Sequence, residues 1–152
     1  MHTIPNITVH KIDRFLTAPL NLSATLARLP QLNTSGALGA LSAINLVGSS
    51  NSPNLDTLKG ITVFIPNNAA FLSIASLFQN SSTETLRNVL GYHAIQGSVV
   101  FSDTITNTTV KTVQGSDLSL SVGNNGTIYV DNARVIVPNI LLSNGVAHMI
   151  DG

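Results

Sequence analysis

The chain has 152 residues, seven of them Lys or Arg and seven Asp or Glu, so its formal net charge is zero. It contains no Cys and no Trp, and Asn, Ser and Thr together supply 47 residues. Scattered, balanced charge argues against nucleic-acid binding, the missing Cys removes any disulfide framework or Cys-built metal site, and 43% hydrophobic content without a membrane-length apolar run argues against both a disordered tail and a membrane span.

Residues 4–17 alternate only roughly, with Ile7 and Val9 against Thr8 and His10, and read as an extended segment that Pro19 ends. Residues 21–30 place Leu22, Leu26 and Leu29 on one helical face, with Asn21 or Ser23 as the cap. Residues 35–46 repeat that pattern with Leu38, Leu41 and either Ile44 or Leu46. Residues 49–54 are a loop by composition. Residues 61–65 form a β-branched run, a buried strand that Pro66 stops, and Asn67 or Asn68 caps the helix carrying Ala69, Ala70 and Phe71. Residues 81–90 give the clearest helix, with Ser82 or Thr83 as cap, Leu86, Val89 and Leu90 as the apolar face, and Gly91 as an interruption.

Beyond Gly97 the hydrophobic period falls from about 3.6 to about 2. Strands are predicted over 99–101, 108–113, 118–122, 127–130, 133–137 and 145–150, with turns at Gly115, 123–126 and Asp131-Asn132. Asn125-Gly126 is a hairpin signal, because both residues tolerate positive φ. Helices mostly in the N-terminal half and strands in the C-terminal half predict an α+β fold.

Catalytic constellations are not apparent. None of His2, His10, His93 and His148 stands in a ligand-pair spacing, and no two carboxylates share a helix face at three or four residues. No Gly-x-Ser-x-Gly elbow or phosphate loop occurs. The expectation is therefore no enzyme, no cofactor and no metal. Tyr92-His93 is the polar pair of interest, read either as a core Tyr beside a His bonded to backbone at a helix end, or as a recognition element. His148 is expected to brace strands through a hydrogen bond, and Asp13 and Asp151 to act in turns or caps.

Asn-x-Ser/Thr occurs at Asn6, Asn21, Asn33, Asn80, Asn107 and Asn125, six acceptors where about three would arise by chance at this composition. N-linked sugars would supply the solvation that a neutral chain lacks, which points to an extracellular, cell-surface or cell-wall setting. Met1 is followed by His2 and Pro5 without a basic region and apolar core, so the chain reads as a mature or excised piece. Residues 9–13 echo residues 147–151 in the form small-His-x-Ile-Asp.

Four stretches taken together resemble the fasciclin (FAS1) domain family. Thr62-Val63-Phe64-Ile65-Pro66-Asn67-Asn68-Ala69-Ala70-Phe71 resembles the first signature block, and Leu86-Arg87-Asn88-Val89-Leu90-Gly91-Tyr92-His93 the central Tyr-His block. Ile128-Tyr129-Val130-Asp131-Asn132-Ala133-Arg134-Val135 is similar to the strand pair before the last block, and Asn144-Gly145-Val146-Ala147-His148-Met149-Ile150-Asp151 to the second signature block. The resemblance implies a β-wedge or sandwich with helices packed beside it. It implies a non-enzymatic adhesion or matrix module of the cell surface, with a small-ligand (lipid or glycan) binding module as the alternative. Partners implied are a cell-surface or matrix protein or a cell-wall glycan, and the composition has a fungal style. Tyr92 and His93 become the candidate adhesion motif, and Phe64, Pro66, Asn68, Phe71, His148 and Asp151 the structural signature, with Phe64 and Phe71 in the core and Pro66 and Asn68 shaping the strand-to-helix turn. Residues 1–19 then resemble the closing strand of a preceding repeat and 20–152 one fasciclin-like domain, with homo-association through the leading strand as a further expectation.

Overall fold

The computed structural model of the chain describes Lys11, residues 17–48 and residues 54–152. Asn6, His2, His10, most of the 49–54 loop and the 9–13 half of the sequence echo (Lys11 apart) lie outside the described residues.

The helical layer comes first. α1 (Leu22–Arg28) starts where the Asn21 side chain accepts from the Ala24 amide. A 3-10 turn (Pro30–Leu32) leads to α2 (Ser35–Ala43). After β1 (Ile61–Pro66) come α3 (Asn68–Ser73), α4 (Ala75–Asn80) and α5 (Thr83–Tyr92). Asn67 caps α3 by accepting from the Ala70 amide, and Ser82 caps α5 by accepting from the Thr85 amide. Asp56 ties the start of α1 to the loop before β1. Its carboxylate accepts from the Ser23 amide at 2.9 Å, the Ser23 hydroxyl at 2.8 Å and the Gly48 amide at 2.8 Å.

The remaining strands are β2 (Ala94–Gln96), β3 (Thr108–Lys111), β4 (Asp117–Val122), β5 (Ile128–Val130), β6 (Ala133–Leu142) and β7 (Gly145–Ile150). They form one seven-stranded sheet in the order β2-β1-β7-β6-β5-β4-β3. β1 and β7 run parallel, and the other pairs are antiparallel. The sheet curls until its two ends meet, since Ile95 bridges Thr112 and the Val113 amide donates to the Ala94 carbonyl at 2.7 Å. The result is a near-barrel.

Two cores follow from the pleat. Ile61, Val63 and Ile65 of β1 and Ala147 and Met149 of β7 face the helices and pack with Leu22, Leu41 and Leu90. Phe64 and Ile150 belong instead to the cluster inside the curl, with Leu118, Leu120 and Val130. A strand covered on both faces reads as a continuous apolar run, and all six residues of β1 are buried.

The helix predicted over 35–46 ends at Ala43 and the strand over 108–113 at Lys111, and there are four larger differences from the periodic reading. α5 passes through Gly91, which keeps helical backbone and packs, buried, beside Gln114, where even a Cβ would make only ordinary contact. β2 directly after it is too short for a period to register. Residues 99–101 are no strand, because side chains take up their backbone groups: the Thr62 hydroxyl accepts from the Val100 amide at 2.8 Å and donates to the Ser98 carbonyl at 2.9 Å. β6 continues past Pro138 to Leu142, by register shifts around Asn139, which stands at φ 59°.

Candidate functional site

Tyr92 closes α5 and His93 is its C-cap residue, so the helix end fixes both. His93 Nδ1 donates to the Val89 carbonyl at 2.8 Å, satisfying an orphan carbonyl of the last turn. The Tyr92 hydroxyl donates to Asp131 Oδ2 at 2.7 Å and lies 3.1 Å from the Asp117 carbonyl oxygen. The Asp131 hydrogen bond, then burial, then the negative charges of Asp131 and Asp117 push the phenol up to about 12. Asp131 holds φ 52°, and its other oxygen accepts from the Ser119 amide at 3.0 Å. One carboxylate thus joins α5, β4 and the turn after β5.

Tyr92 and His93 are both half-buried and sit edge-on, with ring centroids 6.2 Å apart. They form a ridge between two depressions. On one side is a cavity of about 210 Å³ lined mainly by Phe64, Leu118, Val130 and Ile150, with Asp131 and Asn132 at its polar rim. On the other is a shallower one of about 260 Å³ formed with Asn88, Val89 and Gln114.

His148 lies next to this site but faces inward. It is fully buried and stacks on Phe64 at 5.6 Å. Its Nε2 donates to the Val100 carbonyl at 2.8 Å, and its Nδ1 accepts from the Asn139 amide at 3.3 Å. That pattern requires the neutral ring protonated at Nε2. Burial lowers the pKa of the ring, only partly offset by the bond to Val100. Asn139 completes the anchor, accepting from the Ser102 amide at 2.9 Å and donating to its hydroxyl at 2.7 Å.

The other signature residues are placed apart from the ridge. Pro66 ends β1 opposite Ile150. Asn68 does not cap its own helix. Its Oδ1 accepts from the Gly36 amide at 2.9 Å and its Nδ2 donates to the Ser35 hydroxyl at 3.0 Å, so it joins α3 to α2. Phe71 is half-buried, tilted against Phe78 at 4.7 Å and close to the bare face of Gly36. Asp151 accepts from the Arg134 amide at 2.8 Å and pairs with its guanidinium at 3.2 Å, pinning the end of β7 to β6.

Asp131, Thr62 and Asn139 received no role from the sequence. Asp131 carried only a turn signal, and its partner Tyr92 is 39 residues away. Pro138-Asn139 inside an apolar run was the one available hint of a bulge. Among the described residues no group of three or more His, Asp or Glu is placed to hold a metal ion, and no helix is long and apolar enough to cross a membrane.

The sequence model of the fasciclin domain family matches residues 34–152. A fasciclin-like arabinogalactan protein of Arthroderma benhamiae is 37% identical over 97% of this chain and 33% of its own length. The fasciclin-like arabinogalactan protein CTB11 of Cercospora beticola is 33% identical over 95% of this chain and 37% of its own length. The chain thus spans about a third of the length of these curated relatives. The solved FAS1 domain pair from the insect cell adhesion molecule fasciclin I superimposes with a TM-score of 0.56 at 24% identity, over 84% of this chain and 44% of that one, a likeness of fold.

Proposed function

The chain belongs to the fasciclin family, a family of non-catalytic, adhesion-type domains, and we propose that it makes cell-surface contacts through the end of the near-barrel that carries Tyr92 and His93. The observation that supports this reading is the half-buried ridge itself. It is held rigidly by Asp131 and by the Val89 carbonyl, and it stands between two depressions beside the 39% exposed Val89. A pair of rings fixed by hydrogen bonds through the Tyr92 hydroxyl and His93 Nδ1 suits docking onto a macromolecule, because little conformational entropy is lost on contact. The partner is a cell-surface or matrix protein or a cell-wall glycan, and the setting is extracellular.

At the Tyr92 end a small-ligand role is the weaker reading, since the depressions of about 210 and 260 Å³ there fall below the roughly 300–1,000 Å³ of ordinary ligand sites; a depression of about 430 Å³ lined by Ile128, Arg134, Ile136 and Pro138 lies apart from Tyr92 and His93. Residues 1–19 remain proposed as the closing strand of a preceding repeat, with residues 20–152 as the domain, on the strength of the echo between 9–13 and 147–151. Solution scattering with and without residues 1–16 checks the linked expectation of self-association: a particle that is monomeric in both cases removes it.

Retention on coated surfaces tests the adhesion reading. Fungal cells or isolated wall material should be held by surfaces bearing the chain well above albumin-coated controls. Retention equal to the controls across both materials and across matrix proteins overturns the reading.

A further inference from the structure

Two of the six sequons stand at the same end of the sheet, and we propose that Asn107 and Asn125 carry N-linked glycans as a pair at that tip. The inference rests on the extracellular setting proposed above. Asn107 immediately precedes β3, and its Oδ1 accepts from the Val122 amide at 2.8 Å, at the far end of β4. Asn125 lies three residues further on, in the turn to β5, where its Oδ1 accepts from the Thr127 amide at 3.1 Å. Val122 to Asn125 spans at most roughly 10 Å, so both sites stand at the end of the sheet where β4 turns toward β5.

The chemistry of the amide favours these two. Glycosyl transfer replaces one hydrogen on Nδ2: the nitrogen bonds to C1 of a lipid-pyrophosphate-linked oligosaccharide, the C1–oxygen bond breaks, the lipid pyrophosphate leaves with the electron pair, and a proton is released. The amide oxygen takes no part in the product's new bond. At Asn107 and Asn125 the fold uses only that oxygen, and both residues are exposed, so each backbone hydrogen bond survives the modification. The sequon hydroxyls of Thr109 and Thr127 have no hydrogen bond to the rest of the described residues.

The other described sequons are tied into the fold. Asn80 spends Nδ2 on the Ser76 carbonyl at 3.0 Å. The hydroxyl of the Asn21 sequon, on Ser23, donates to Asp56, and the residue between them, Leu22, is fully buried. The hydroxyl of the Asn33 sequon, on Ser35, accepts from Asn68.

The position of the pair has a physical use. β3 ends the sheet order, and its stretch ahead of the bridge to β2 at Thr112 leaves an edge that, in a protein with few charges, is a template for unwanted pairing. Sugars at this tip stand beside the start of that edge and beside the 36% exposed Val122. β4 begins at Asp117, which touches Tyr92, and ends at Val122. Its six residues separate the glycan tip from the Tyr92 end by roughly 17 Å, leaving that end open to a partner.

The test is a glycopeptide map and intact mass of the full chain, secreted from a yeast behind a heterologous signal sequence. Thr109→Ala and Thr127→Ala serve as the variants. Each removes a sequon while keeping the Asn side chain and its backbone hydrogen bond. Most wild-type molecules should carry glycans at both Asn107 and Asn125, and each variant should lose one glycan mass. An unmodified Asn107 or Asn125 in the secreted wild type, or a variant of unchanged mass, overturns the inference. Because the signal sequence forces entry into the secretory route, that failure leaves the extracellular reading standing. Cytosolic localisation of the native protein would overturn the extracellular reading and leave the acceptor geometry untouched.

Discussion

β1 and β7 bury side chains on both faces, whereas β4 alternates between exposed and buried positions and β3 is mostly exposed. In the central pair the polar groups are buried too. Thr62 and His148 are fully covered and hold residues 98–102 against the sheet. In the arc from β3 to β5 the polar links lie at the surface, as between Tyr92 and Asp131 or Lys111 and Asp117. The difference teaches where sequence change is tolerated. Water can replace a surface link, but nothing can replace a lost partner in a sealed site.

The largest effect should come from closing the tightest approach in the central pair. A Cβ at Gly145 would run into the Ile61 carbonyl, 2.8 Å from its carbon and well inside contact of its oxygen. Both obstacles are backbone, so Gly145→Ala must part β1 from β7. A loss of more than about 3 kcal/mol is expected, read as a fall in Tm of roughly 6–12 °C or as failure to fold. A melting curve within 2–3 °C of wild type, about 1 kcal/mol, would break the comparison.

His148 comes next. His148→Ala leaves a cavity beside Phe64 and strips the Val100 carbonyl and Asn139 amide of their partner. The expected cost is about 3 kcal/mol, with faster hydrogen exchange in residues 98–102. The same site gives a pH signature. Burial places the folded pKa of His148 below the ordinary 6.5, so the unfolded chain binds the proton more readily. Its contribution is therefore complete above about pH 6.5 and is lost as pH falls through the folded value. Urea titrations between pH 7.5 and 5 should show the loss in wild type and a flatter profile in His148→Gln. Equal profiles would remove His148 as the cause.

Legibility followed the same division. The alternation of β4, Asp117–Val122, was readable because every second residue meets water. The buried run of β1 was readable because both faces are apolar. Residues 99–101 misled, since Val99, Val100 and Phe101 carry strand propensity while the groups that occupy their backbone, Thr62 and His148, are 38 and 48 residues from Val100. Gly91 carried a helix-breaking signal, yet the helix runs on through it to Tyr92, with Gly91 buried beside Gln114. At the candidate site Tyr92 and His93 stood out by type, and His93 took the helix-end bond that its position implied. Asp131 did not stand out, because a turn carboxylate acquires a role only through the pairing of β4 with β5.

Effects in the arc should be smaller. Tyr92→Phe removes the bond to Asp131 and should cost about 1 kcal/mol. The folded pKa of Tyr92 is raised to about 12, above the ordinary value near 10. The stabilisation from this bond is thus present below about pH 10 and fades as pH rises toward 12. Alkaline melts should converge for wild type and Tyr92→Phe. Curves that stay apart would deny the bond its role. Smallest of all is Lys111→Ala. Its ion pair with Asp117 is 2.6 Å long but 71% and 59% exposed, so less than about 0.5 kcal/mol is expected by chemical denaturation.

The contrast that matters most for function sets the Tyr92 end against the rest of the surface. Val89 and Leu141 are both exposed hydrophobics, 39% and 56% accessible, but only Val89 borders the ridge. The measurement is retention of cells and wall material on surfaces coated with wild type, Val89→Asp and Leu141→Asp, with matched melting temperatures. Loss of retention in Val89→Asp and wild-type retention in Leu141→Asp is the predicted result. Undiminished retention in Val89→Asp, or loss confined to Leu141→Asp, would contradict the assignment of adhesion to the Tyr92–His93 end.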